Sequence, residues 1–159
     1  ERTFMKDTID VRKLKDMVVA MIEQLAYELR RDQRVCSTIS IKLRYSDFQT
    51  VSKQKKVPYT AADHTLISHA KHLFGSLYSR RVRIRLVGVR LGDLAGGGHQ
   101  IDLFNDNDKI IDLYQAMDAM KNRYGANAVR RSVAVEIKGL GRGNSFNGEP
   151  NVVPAHRNA

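Results

Sequence analysis

The sequence predicts an α+β fold: a two-layer βαββαβ sandwich whose antiparallel four-stranded sheet carries two helices on one face, followed by a C-terminal extension with a third helix. Three observations predict it. Two stretches repeat apolar residues every three or four positions, three others alternate with a period of two, and a run of glycines at 96–98 separates them from a segment of different composition. At 159 residues the chain has room for one domain with its own core and a tail.

Each element has its own signal. Residues 1–5 read as the end of a strand. From Asp10, a residue type suited to an N-cap, Leu14, Val18, Met21, Ile22, Leu25 and Leu29 form one apolar stripe, with Lys13, Lys15, Glu23, Arg30 and Arg31 assigned to the other face. Residues 35–44 alternate, Val35, Ser37, Ile39, Ile41 and Leu43 against Cys36, Thr38, Ser40, Lys42 and Arg44, which is the pattern of a half-buried strand. Ser46 and Asp47 make a turn, and residues 49–59 return as the partner strand. A second helix starts at Thr60-Ala61-Ala62-Asp63, which looks like a capping box, carries Leu66, Ile67, Ala70, Leu73, Phe74 and Leu77, and ends near Ser79. Residues 81–91 set Arg81, Arg83 and Arg85 against Val82, Ile84 and Leu86 before slipping phase, with a bulge expected at Gly88.

These signals divide the chain into a folded domain at 1–94, a glycine-rich linker with a short apolar peptide at 95–105, a helix with a basic segment at 106–138, and a flexible tail at 139–159. The third helix is expected from about Asp106 to Tyr124 with Ile110, Leu113, Met117 and Met120 as its stripe, and residues 129–135 read as partly β-like. The chain opens on Glu1, without a methionine and in what reads as mid-strand, so a piece of a longer protein is expected.

Charge narrows the function. The formal net charge is +10, and over 34–56 and 80–90 every charged residue except Asp47 is basic. Alternation puts many of these on the sheet face away from the helices. A strand rises roughly 3.3 Å per residue, so a ten-residue strand spans about 33 Å and can meet successive phosphates along a groove. A polyanion is therefore the expected partner. Single basic residues on strands are often just solvated surface, but the cluster, with hydroxyls beside it and one acid within it, points to phosphate binding.

Other chemistries lack their residues. No apolar run approaches the roughly 18 residues that would span a bilayer, and no secretory leader pattern opens the chain. One cysteine, Cys36, fits a reducing compartment. Of the five histidines, His69 and His72 lie three apart on a helix, but no acid or thiol completes a metal site, and a solvated face is expected. No carboxylate pair forms a catalytic dyad, and Gly96-Gly97-Gly98 lacks the Lys-Ser or Lys-Thr of a phosphate loop. No catalytic residue and no cofactor are expected within this chain.

The peptide Gln100-Ile101-Asp102-Leu103-Phe104 resembles the pentapeptide by which bacterial replication and repair proteins dock on the sliding clamp. Leu103 and Phe104 would be paired apolar anchors, and the Gln100 amide would hydrogen-bond in a neighbouring pocket. The competing reading makes Leu103 and Phe104 a hydrophobic staple ahead of the helix at Asp108.

The order Glu1-Arg2-Thr3-Phe4, a helix, a hairpin containing Val51-Ser52-Lys53, a capped helix and Val82-Arg83-Ile84-Arg85-Leu86-Val87-Gly88-Val89 is similar to the little finger domain of Y-family translesion DNA polymerases of the DNA polymerase IV type. Residues 113–125 and Arg130-Arg131-Ser132 resemble that family's bacterial C-terminal extension. The resemblance covers nearly all of 1–138. It implies a sheet lying in the major groove of primer-template duplex, with Ser52, Lys53 and Arg85 on backbone phosphates and Lys42, Arg44, Lys55, Arg83 and Arg90 as helpers. It also implies a bacterial cytoplasmic enzyme, palm, fingers and thumb domains elsewhere in the same parent chain, and Mg held by palm carboxylates, so that this chain alone would not polymerise DNA. A stand-alone RNA-binding βαββαβ module is the alternative, but such sheets stack bases on exposed aromatics, whereas here Tyr45, Phe48 and Tyr59 fall near strand ends.

Overall fold

A computed structural model describes residues 1–96 and 108–135. In chain order the elements are β1 (Arg2–Thr8), α1 (Val11–Arg31), β2 (Arg34–Tyr45), β3 (Thr50–Thr60), α2 (Asp63–Leu77), β4 (Ile84–Gly96), α3 (Asp108–Tyr124) and α4 (Ser132–Val135). The expected α+β arrangement is present. The four strands form one antiparallel sheet in the order β1-β4-β2-β3.

Register decides which side chains meet the helices. Across β2 and β4, Ile39 faces Leu91, Ile41 faces Val89 and Leu43 faces Val87, and cross-strand partners lie on the same side of a sheet. These residues join Leu14, Val18 and Ile22 of α1 and Leu66 and Phe74 of α2 in the core. The two helices thus share one face. The intervening residues, Ser40 with Arg90 and Lys42 with Gly88, fall on the opposite face.

Asp10 caps α1 as expected, its carboxylate accepting the Lys13 N–H at 3.0 Å. The start of α2 differs. Ala62 is the N-cap without a side-chain bond, the Thr60 hydroxyl accepts the Ala62 N–H at 3.1 Å, and Asp63 is fully buried against Arg30 rather than closing a capping box.

The last strand also departs from expectation. The ladder begins at Ile84, not near Arg81, and Gly88 is in register opposite Lys42. The irregularity lies one turn of the pleat earlier: Arg44 pairs with Leu86 but Tyr45 with Ile84, which leaves Arg85 as the extra residue. A Cβ at Gly88 would come within 2.6 Å of the Glu1 side chain, which would have to shift to admit it. At its far end β4 runs through Ala95 and Gly96, which pair with Val35 and Arg34, so these two residues belong to the sheet rather than to a linker.

The extension stacks on the outer side of the helix layer. Its docked face is mainly polar: Tyr114 and Lys121 are buried, as is Ala134, while of the expected apolar stripe Ile110 and Met117 are half-buried and Leu113 and Met120 are 55% and 47% exposed. Glu23 and Arg30, assigned to the solvent side of α1, are what it packs against. The segment read as β-like forms the short helix α4, entered through a turn in which the Ala134 N–H bonds the Arg131 carbonyl at 2.9 Å. Among the described residues no helix is long and apolar enough to cross a membrane.

Candidate nucleic-acid interface

The sheet face turned away from the helices is uncovered by any element among the described residues, because α3 and α4 pack on α1 and α2 instead. Its residues follow from the ladder. Thr38, Ser40, Lys42 and Arg44 of β2 stand beside Lys56, Gln54, Ser52 and Thr50 of β3 and beside Gly92, Arg90, Gly88 and Leu86 of β4. Hydroxyl, amide, ammonium and guanidinium groups therefore form one surface. Two carboxylates temper its charge: Glu1 pairs with Lys42 at 3.0 Å, and Asp93, at a φ of +50, accepts from the Thr38 hydroxyl. Arg44 is steadied by donating to the Thr50 hydroxyl at 2.9 Å.

At one end of this face the β2–β3 turn meets the entry to β4. Arg80 reaches across to donate to the Gln49 amide oxygen at 2.6 Å and to Asp47 at 3.0 Å, with its guanidinium 5.1 Å from the centre of the Tyr45 ring. Arg85 lies over Phe48 at 4.7 Å, and the Arg83 carbonyl accepts the Ser46 N–H at 2.9 Å. The turn and the arginine-rich strand entry are thus one unit.

The residues singled out from sequence fall in three places. Lys42, Arg44, Ser52 and Arg90 share the open face. Arg83 and Arg85 belong to the corner, Arg83 ahead of β4 and Arg85 in its bulge. Lys53 and Lys55 are on the other side of the sheet, because they pair with Ile41 and Ile39. Both remain exposed, since β3 is an edge strand that the helices cover only in part, and the Lys55 charge reaches His69 of α2, where burial and then that charge lower the imidazole pKa. Lys56, part of the basic cluster but not among the expected contacts, pairs with Thr38 on the open face; its neighbour Lys55 carries the same signal, and only register separates them. Gln100, Leu103 and Phe104 lie outside the described residues.

A second polar cluster, also missed, lies between α1, α2 and α3. Arg30 donates from Nε and Nη2 to the two oxygens of Asp118 at 2.6 and 2.9 Å, and from Nη1 to Asp63 at 2.6 Å and to the Ala61 carbonyl at 2.8 Å. Burial would lower the Arg30 pKa, but Asp118 and Asp63 more than offset it and raise the value. The Tyr114 hydroxyl accepts the His64 N–H at 3.1 Å and meets the His64 ring nitrogen at 2.8 Å. Every acid here has a cation beside it, so the cluster fastens helices together.

Residues 1–103 match the impB/mucB/samB family C-terminal domain. Curated relatives include the DNA polymerase IV of Clostridium acetobutylicum, 32% identical over 142 residues covering 86% of this chain and 35% of that protein, and that of Dehalococcoides mccartyi, 27% identical with 88% and 36% covered. This chain therefore spans about a third of the length of such relatives. Among solved structures it is similar to the little finger domain of PolIV in complex with the beta-clamp processivity factor, at 25% identity and a TM-score of 0.41 over 57% of this chain and 81% of that one. It is also similar to the insertion ternary complex of Dbh DNA polymerase, at 17% identity and a TM-score of 0.42 over 60% and 27%.

Proposed function

Because the chain belongs to the impB/mucB/samB C-terminal domain family, we propose that it is the duplex-gripping module of a translesion DNA polymerase of the DNA polymerase IV type, holding primer-template DNA through backbone phosphates. One observation supports this reading above the others: Lys42, Arg44, Lys56 and Arg90 share an uncovered sheet face with Thr38, Ser40, Thr50 and Ser52. Cations and hydroxyls side by side suit phosphate oxygens, which carry charge but no sequence information. Duplex DNA should bind irrespective of its sequence. Nucleotidyl transfer would belong to the palm domain of the parent protein, with Mg held there.

The reading has a direct test with an internal control. Lys42→Glu with Arg90→Glu changes the open face, whereas Lys71→Glu makes the same kind of reversal on the exposed side of α2. In a gel-shift series at low salt the double variant should lose duplex affinity equally for all sequences, and Lys71→Glu should bind nearly as the parent chain does. Equal losses in both would sink the assignment to this face. Single-stranded RNA competing better than duplex DNA would favour the RNA-binding alternative.

Docking on a sliding clamp through Gln100, Leu103 and Phe104 completes the proposal. It rests on the sequence pattern of that peptide. Replacing Leu103 and Phe104 by Ala should abolish capture by immobilised clamp and leave DNA affinity intact; unchanged capture would remove the assignment.

A further inference from the structure

The turn between β2 and β3 holds an apolar ring in water where folding gives no reason for one. Phe48 is 64% exposed and its φ is +64, a left-handed conformation that bulky residues rarely adopt and that tends to persist only where surrounding structure enforces it. The enforcement is visible. The Phe48 N–H bonds the Tyr45 carbonyl at 3.0 Å and the Tyr45 N–H bonds the Gln49 carbonyl at 2.9 Å. Asp47 accepts the Gln49 N–H at 3.1 Å, and Arg80 ties Asp47 and Gln49 together from outside the turn. A turn so fastened presents its tip in one orientation.

What surrounds the ring says what it suits. The Arg85 guanidinium covers one side of it at 4.7 Å, and Arg83 and Arg44 flank the same corner. Arginines draw phosphates, and an aromatic ring beside held phosphates offers a stacking surface to a base. Bases inside a duplex are already stacked on their neighbours, so the ring suits one that is unpaired. We infer that Phe48 is a stacking platform for an unpaired DNA base, placed where duplex held on the open face gives way to single strand. This rests on the proposed duplex binding, and it adds a site that recognises the junction.

Binding of the 159-residue chain to a blunt duplex and to the same duplex with a 5′ single-stranded overhang separates the two ideas. The parent chain should prefer the overhang by roughly fivefold or more, the lower end of what base stacking on an aromatic supplies. Phe48→Ala should erase that preference while blunt-duplex affinity and the melting temperature hold. Phe48→Trp should keep the preference, and the fluorescence of this variant should be quenched by the overhang substrate and not by the blunt one. The inference is overturned if Phe48→Ala leaves the preference intact, if it weakens both substrates equally, or if the indole fluorescence of the Phe48→Trp variant ignores the overhang. Failure of the blunt duplex to bind would instead contradict the open-face reading, and the overhang arms would still report on Phe48.

Discussion

Arg30 shows how much one side chain can fix. It is 6% exposed, and its planar fork meets two carboxylates and a carbonyl at once, a geometry an ammonium does not reproduce. Removing it strands Asp63, which is fully buried. Arg30→Ala should therefore cost about 3–5 kcal/mol, the range for leaving one member of a buried ion pair alone, and Arg30→Lys should recover only part; urea melts of the three proteins measure both. Cys36 offers a second test at this scale. It is fully buried on β2, and burial pushes its thiol up to about 11, so a thiol reagent at neutral pH should label it slowly in the folded chain and quickly in denaturant. Rapid labelling of the native protein would mean that the β2 end of the core opens readily. Neither role was legible in the sequence: Arg30 reads as one more basic residue on a polar helix face, because its acidic partners lie 33 and 88 positions away.

Among the elements, α3 carries an unusual load, since polar groups dock it and its apolar positions Leu113 and Met120 stay largely exposed. Helix amphipathicity therefore placed its inner face only in part, with Ile110 and Met117 half-buried but Leu113 and Met120 outside it, because the surface that receives it, around Arg30, Tyr27 and Asp63, is itself polar. Asp118→Asn keeps the shape and weakens the bidentate pair. Amide exchange should then quicken in α3 and stay slow in β2 and β4, the mark of local rather than global opening; uniform quickening would make α3 part of the main cooperative unit. Glu23 couples α1 to α4 through Arg131 at 2.9 Å. Burial raises its carboxyl above 4.5, and the Arg131 charge only partly opposes this. The folded state therefore holds that proton more tightly than the unfolded chain, so the contribution favours folding below about pH 4.5 and fades as pH rises through the folded value. Glu23→Gln should flatten that part of the stability curve in melts run from acid to neutral pH. Strand β2 was legible because it is central, with helices on one side and solvent on the other. The start of β4 was not, because the alternation begins at Arg81, three residues before Ile84 joins the ladder, and the extra residue at Arg85 puts Leu86 on the open face beside Arg44.

At the scale of the molecule, the chain divides its work between two sides of one sheet. Apolar residues on one side bind the helices, and the helices bind the extension, which leaves the other side open to a partner. The layer order and the basic character of the open face could both be read from periodicity and charge, whereas the membership of that face needed the register, which exchanges Lys53 and Lys55 for Lys56. The salt dependence of duplex binding measures the central claim most directly. With Lys42, Arg44, Lys56 and Arg90 each neutralising a phosphate, the logarithm of the binding constant should fall linearly with the logarithm of salt concentration with a slope near −3.6, or roughly −0.9 per contact, and Lys42→Glu with Arg90→Glu should make it shallower by about two contacts. A slope near zero, or one that the double variant leaves unchanged, would contradict it.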